Sequence, residues 1–249
     1  MSGHNRWTKI KRQKEAMGAS KGNLFTKIIK EITVAARMGG GDPDGNARLR
    51  SALIAAKGAN MPNDTIQRAI KKGTGDLEGV SYEEITYEGR GPGGVAIVIE
   101  CLTDNRNRTF GEIRTIFTKG GGAIGEPNSA TYMFDRRGVI TVNDTTEDAV
   151  MEVALDAGAL DVQPGDEDGS FTVLTEPTEV HKVAGALEKG SFKVVEAKSK
   201  YLPQNPIALD AEKGAKMLAL VEKFEDNDDV QNVYANFEIP DDVMEQIDG

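Results

Sequence analysis

Apolar positions repeat along this chain with two different periods. Leu24, Phe25, Ile28, Ile29, Ile32, Ala35 and Ala36 recur at helical spacing, while Lys27, Lys30 and Arg37 fall off that stripe. The spacing predicts a helix over 23–38, with Asn23 as its cap and Gly39-Gly40-Gly41 as its stop. A second helix is expected from Asp44 or Asn46 to Lys57. A third is expected from Asp64 to Lys72, opened by Pro62 and Asn63 and ended by Gly73. Three short helices with short connections predict a small bundle. Residues 74–81 are rich in glycine and acids and read as a linker. The period then changes. Residues 95–102 form an apolar run that is rich in β-branched side chains and too short to cross a membrane. A Gly91-Pro92-Gly93-Gly94 turn precedes it and a polar loop follows it. Such a run reads as a strand buried on both faces. It is expected to pair with a strand at 85–87 across the turn. A helix over 109–119 and a strand over 131–134 complete this segment.

The order from Gly138 predicts a unit that closes on itself. Strand 139–142, helix 147–157, strands 160–163 and 171–174, helix 179–188 and strand 192–197 give β-α-β-β-α-β, the ferredoxin-like arrangement. Residues 201–206 carry two prolines and read as a rigid linker. Helix 208–224 and strand 230–237 then remain without a sheet of their own, so they are expected to return to the sheet of residues 82–135. The expected fold class is α+β with three domains. These are a basic helical head with an N-terminal arm (1–80), a discontinuous middle α+β domain (81–137 plus 201–249) and an inserted ferredoxin-like domain (138–200).

Composition leaves this outline intact and adds a polarity. The 249 residues carry a net charge of −10, yet residues 1–72 hold 15 Lys and Arg against 5 Asp and Glu. A basic head on an acidic body is a segregated field, which suggests that one end binds a polyanion. The arm holds the single Trp. Arg6, Lys9, Lys11, Arg12, Lys14 and Lys21 can track phosphates, and Trp7 can stack on a base or anchor the arm to the following helices. The one cysteine, Cys101, excludes an internal disulfide, suits a reducing cytoplasm and reads as a small core residue. The basic N-terminus lacks the apolar core of a signal peptide, and no run is long enough for a membrane helix.

The motifs that would carry chemistry fail on context. Gly89-x-Gly91-x-x-Gly94 and Gly120-x-Gly122-x-x-Gly125 match the dinucleotide fingerprint. The first, however, precedes a strand and the second follows a helix, so neither places glycines between a strand and a helix N-terminus. Asp42-x-Asp44-x-Asn46 begins like a calcium loop, but Ala47 and Leu53 replace its glycine and closing Glu. His4 and His181 are the only histidines, and no ligand set surrounds them, so neither a metal nor a triad is expected. No acid pair sits in an apolar setting that would tune it. The expectation is a protein that is not an enzyme and takes no cofactor. Arg106 and Arg108 open the helix after the central strand, where helix N–H groups favour anions. They are candidates for phosphate contact, or for pairing with local acids.

Ser2-Gly-His-Asn-Arg-Trp7, Phe25-Thr-Lys27, Ala35-Ala-Arg37, Gly39-Gly-Gly-Asp-Pro43, Ala59-Asn-Met-Pro62, Gly91-Pro-Gly-Gly-Val95, Leu102-Thr-Asp-Asn-Arg-Asn-Arg-Thr109 and Asp229-Val-Gln-Asn-Val-Tyr234 occur together in this order. The set closely resembles the YebC family of bacterial regulatory proteins, whose mitochondrial relatives are translational activators of cytochrome c oxidase subunit 1. The resemblance spans the chain. It implies a cytoplasmic three-domain α+β protein without catalytic residues. Bacterial members are described as transcriptional regulators that bind DNA, and other work on the family points to the ribosome and the relief of stalling at proline runs. The arm departs from the family pattern at Asn5, Arg6, Gly18, Ser20 and Asn23, which leaves it less charged.

The expected function is therefore a nucleic-acid-binding regulator that works through its head. The candidate contacts are His4, Arg6, Trp7, Lys9, Lys11, Arg12, Lys14, Lys21, Lys27, Lys30, Arg37, Arg106 and Arg108. The partner is ribosomal RNA, with the ribosome as the working site, or duplex DNA at promoters. No membrane partner is expected, and a monomer is favoured. Nothing in the residues 66–72 reads as a convincing DNA recognition helix, and a basic arm with a separate acidic body suits shaped RNA at least as well.

Overall fold

The computed structural model describes residues 21–165 and 168–248, with backbone only for Lys21, Asp241 and Asp248. Nearly all of the arm, including the candidates from His4 to Lys14, lies outside the described residues. The chain divides into two compact units. One takes the residues up to Lys27, Val80–Asp135 and those from Tyr201 onward; the other takes Ile28–Gly79 and Arg136–Lys200.

The first unit is built on β2 (Ala96–Thr103), in which seven of eight residues are buried. β1 (Glu83–Arg90) pairs with it antiparallel, Tyr87 opposite Ile99. The turn between them passes through a short 3-10 helix, Pro92–Gly94, in which Gly93 and Gly94 adopt φ of +76° and +80°. Those values require glycine. β9 (Val230–Ala235) pairs antiparallel with the other edge of β2, Ile97 opposite Ala235, and the two-residue β3 (Ala123–Ile124) pairs with β1. The sheet order is β3-β1-β2-β9. The C-terminal strand does return to this sheet.

Helices α4 (Arg106–Lys119) and α7 (Ala211–Glu225) cover one face. Ile97, Ile99 and Cys101 of β2 share a core there with Ile113, Phe117, Met217, Leu220 and Phe224. The rings of Phe117 and Phe224 meet edge to face at 4.7 Å. Ala96 and Val98 point to the opposite face, beside Ala130 and Phe134 and near Tyr201 and Tyr234. The short strands β8 (Ile207–Ala208) and β10 (Phe237–Glu238) pair in parallel, and α8 (Asp241–Asp248) follows.

Two local expectations fail here. Residues 131–134 were expected as a strand, but Thr131–Met133 is a 3-10 turn and the strand begins at Phe134. The cause is Glu88, which is only 6% exposed. Its carboxylate accepts the backbone N–H groups of Asn128 (2.7 Å), Ala130 (2.7 Å) and Thr131 (2.8 Å), donors that a strand would offer to a neighbour. Residues 201–206 are expected as a linker, but strand β7 (Lys193–Pro203) runs on through Pro203. β7 lies at the edge of its sheet, where a missing N–H costs no ladder bond.

The second unit contains helices α1 (Lys21–Gly39, shared with the first), α2 (Ala47–Gly58) and α3 (Asn63–Thr74). Asn23 caps nothing: it sits inside α1, and its Nδ2 donates to the Asp226 carbonyl at 2.8 Å within the first unit. Asn46 is buried and is the cap of α2. Its Oδ1 accepts from Leu49 N at 3.0 Å, while its Nδ2 donates to the carbonyls of Ala35 (2.7 Å) and Gly40 (2.8 Å). One side chain thus starts α2 and holds the end of α1. α1 and α3 approach so closely at Gly73 that a Cβ there would collide with the Thr33 carbonyl and the Ala36 methyl.

The same unit holds β4 (Phe134–Asn143) from Arg136 on, α5 (Glu147–Ala157), β5 (Asp161–Pro164), β6 (Phe171–Thr175), α6 (Val180–Lys189) and β7 (Lys193–Pro203) as far as Lys200. The sheet order is β5-β6-β4-β7, with β6 antiparallel to both β4 and β5. Ile140, Val142, Val150, Ala154, Val173, Val183 and Leu187 form its core. Where α2 and α6 come together, Ser51 Oγ lies 3.3 Å from His181 Nδ1. Burial, then Arg50 and Arg48, lower the pKa of His181, with Glu31 opposing.

Candidate nucleic-acid interface

Helix chemistry decides which cations of the head reach solvent. α1 buries Ile28, Ile32, Val34, Ala35 and Ala36, and Lys30 is buried with them at 7% exposure. Lys27 is half-buried and gives its ammonium to the Glu225 carbonyl. Arg37 is exposed near the end of α1. Of the three head candidates with described side chains, then, only Arg37 stands on the surface.

The cations that the helices do expose lie outside the sequence-based candidates. α3 buries Ile66, Ala69, Ile70 and Gly73. The complementary face carries Gln67, Arg68, Lys71 and Lys72, all exposed. Arg68, Lys71 and Lys72 stand three and four residues apart and therefore share one side of the helix. Lys57 is exposed at the end of α2. None of these four makes an ion pair among the described residues. By contrast, Arg48 is spent on Glu31, with contacts of 2.7 and 3.0 Å. The signal available in the sequence was the 3.6-residue period of α3: once Ile66, Ala69, Ile70 and Gly73 are inward, the lysines between them must face water.

At the head of α4 the two arginine candidates separate. Asn105 caps the helix, its side chain accepting from Arg108 N at 3.1 Å. Arg108 Nη2 then reaches Asp229 Oδ2 at 2.7 Å and Asp104 Oδ1 at 2.8 Å. Asp229 is 3% exposed and also accepts from Thr103 Oγ1 at 3.1 Å and Thr109 Oγ1 at 2.6 Å. These bonds, Asp229 first and Asp104 second, raise the pKa of Arg108 further above its already basic value. The guanidinium neutralises a buried carboxylate, which the local-acid alternative had anticipated. Arg106 differs: it is exposed and makes no ion pair among the described residues.

Cys101 is 2% exposed in the strand core. Asp42 accepts from Asp44 N at 3.0 Å, so the loop that begins like a calcium site closes on its own backbone. No group of three His, Cys, Asp or Glu able to hold a metal occurs among the described residues, and no helix there is long and apolar enough to cross a membrane.

Known proteins resemble this chain along most of its length. The family described as TACO1/YebC protein N-terminal domain matches residues 5–76, and TACO1/YebC second and third domain matches residues 82–237. A protein of Myxococcus xanthus called "Probable transcriptional regulatory protein" is 55% identical over 248 residues, covering 99% of each chain. One of Geobacter sulfurreducens with the same description is 54% identical, covering 99% of this chain and all of that one. The crystal structure of a conserved hypothetical protein from Aquifex aeolicus superposes with a TM-score of 0.80 at 45% identity, over 90% of this chain and 93% of that one. The chain belongs to the TACO1/YebC family.

Proposed function

We propose that this chain is a non-enzymatic, nucleic-acid-binding regulator of gene expression that grips ribosomal RNA through its basic head and relieves stalling at difficult sequences such as proline runs. The observation that carries this reading is the segregation of charge: residues 1–72 hold 15 of the 30 cations and only 5 of the 40 anions. The exposed cations of α2 and α3 extend the charge beyond the arm. An acidic body repels a polyanion, so the main contact falls to the head. The arm candidates His4 to Lys14, with Lys21, Lys27, Lys30 and Arg37, belong to this proposal, and of the last three Arg37 is the exposed one. We assign the head to 1–80, a middle domain to 81–137 plus 201–249, and an inserted domain to 138–200. That division is supported by a family description that counts an N-terminal, a second and a third domain. A monomeric, cytoplasmic protein fits this reading.

A second reading has its own support: relatives carry the name transcriptional regulatory protein. In it the head grips duplex DNA near promoters. Deleting residues 1–22 tests both. On the first reading, the deletion abolishes co-sedimentation with ribosomes, and the full chain binds DNA weakly and without regard to sequence. On the second, a promoter is bound about a thousandfold or more above random duplex. Equal binding by the deleted protein overturns both.

A further inference from the structure

The acidic first unit carries one surface that does not fit an acidic, purely structural body. Arg106, Phe110 and Arg114 succeed one another at four-residue intervals on α4, so they line one flank of the helix over about 12 Å. Phe110 is 43% exposed, an unusual placement for a ring with an apolar core at hand. Tyr87, itself buried, backs the ring at 6.1 Å with a 45° tilt, and the Tyr87 hydroxyl donates to the Arg106 carbonyl at 3.5 Å. The ring is thus held from behind with part of its surface in water.

Both arginines are exposed, and neither makes an ion pair among the described residues. Nearby carboxylates are engaged elsewhere. Asp104 and Asp229 hold Arg108, and Glu112 accepts from Asn227 at 2.8 Å. An aromatic face between two uncommitted guanidiniums is the chemistry that takes a stacked base with a phosphate on either side. A duplex, whose bases stack on one another, offers no such face.

We infer that the Arg106–Phe110–Arg114 flank of α4 is a binding site for single-stranded nucleic acid, with Phe110 stacking on a base and the two guanidiniums meeting the flanking phosphates. The inference rests on the nucleic-acid reading above and places a second contact outside the basic head. Arg108 takes no part, because its charge is committed to Asp229.

The test is the affinity of the full chain for a labelled oligouridine of about twelve nucleotides, for the matching deoxy strand and for a duplex. Phe110→Ala should weaken single-strand binding about tenfold and leave duplex binding unchanged. Phe110→Trp should bind at least as well as the parent, which separates stacking from folding. Replacing both Arg106 and Arg114 with Gln should reduce the salt slope of log affinity by about 1.4. The RNA and deoxy arms tell which strand is preferred; equal affinity means that the site reads stacking alone. If Phe110→Ala binds single strands as the parent does, or loses duplex binding equally, the inference is overturned. So too if the variant changes self-association and leaves nucleic acid untouched. A full chain that binds no nucleic acid overturns the parent reading as well. One that binds only through residues 1–22 overturns the inference alone.

Discussion

Arg108 Nη2 lies 2.7 Å from Asp229 Oδ2 and joins the first turn of α4 to the start of β9. Asp229 gathers Thr103 and Thr109 on the same oxygen, so the pair closes a polar network at the end of the central strand. Removing the guanidinium takes the one nearby cationic donor shown at 2.7 Å from a carboxylate only 3% exposed. Arg108→Ala should therefore lower stability by about 1–3 kcal/mol, the worth of hydrogen bonds to a charged group. Urea denaturation measures this. Nucleic-acid affinity should stay near that of the parent once the variant is folded; a large loss of affinity at unchanged stability would return Arg108 to the interface.

Glu88 provides a pH signature. Burial pushes its pKa up, but backbone N–H bonds from Thr131, Ala130 and Asn128 outweigh burial, and the net shift is downward. A folded pKa below the unfolded one gives stability that is present above the unfolded value and lost as pH falls through the folded one. Glu88→Gln should cost about 2 kcal/mol at neutral pH, because its amide turns a donor toward N–H groups that need acceptors. Denaturation midpoints from pH 7 down to 3 should fall faster for the parent than for the variant. Parallel curves would show that the loop at 128–131 does not depend on this carboxylate.

His181 gives a second window at higher pH. Burial first, and Arg50 and Arg48 next, hold its folded pKa below the ordinary value, against the weaker pull of Glu31. The stability it confers is complete above about pH 6.5 and declines as pH falls below it. His181→Gln, which keeps a polar partner for Ser51, should remove that decline between pH 7 and 5. Titrating the imidazole by NMR checks the cause: a midpoint at or above that of a free histidine contradicts it.

Gly73 marks the tightest crossing of the head. A Cβ there would meet the Thr33 carbonyl and the Ala36 methyl, backbone and core atoms that cannot swing aside. Gly73→Ala should destabilise the chain by about 1–3 kcal/mol, although alanine is the better helix former. An unchanged or raised Tm would mean that α1 and α3 separate freely.

Much of the fold was legible because periodicity responds to burial. The run at 95–102 named the buried strand, and the helix-strand pair without a sheet returned to that strand's free edge. The β-α-β-β-α-β order is present, with sheet order β5-β6-β4-β7. What escaped depended on partners distant in sequence. Thr131–Met133 looks extended until Glu88, some 40 residues away, takes the N–H groups of Ala130 and Thr131 at its start. Lys30 looks like any helix lysine until the burial of α1 encloses it. Arg108 reads equally as a phosphate ligand or a partner of local acids until Asp229, 121 residues further on, takes its guanidinium. Arg68, Lys71 and Lys72 read as ordinary surface residues, because their shared face shows only once Ile66, Ala69, Ile70 and Gly73 are known to point inward.

The central claim is that the basic head brings this protein to ribosomal RNA. Crosslinking the chain to nucleic acid in living cells and sequencing what it holds tests that claim most directly. The account predicts reads concentrated in ribosomal RNA, lost when residues 1–22 are deleted and reduced when Arg68, Lys71 and Lys72 are replaced by Gln. Reads concentrated at promoter DNA, with ribosomal RNA at background, would contradict it.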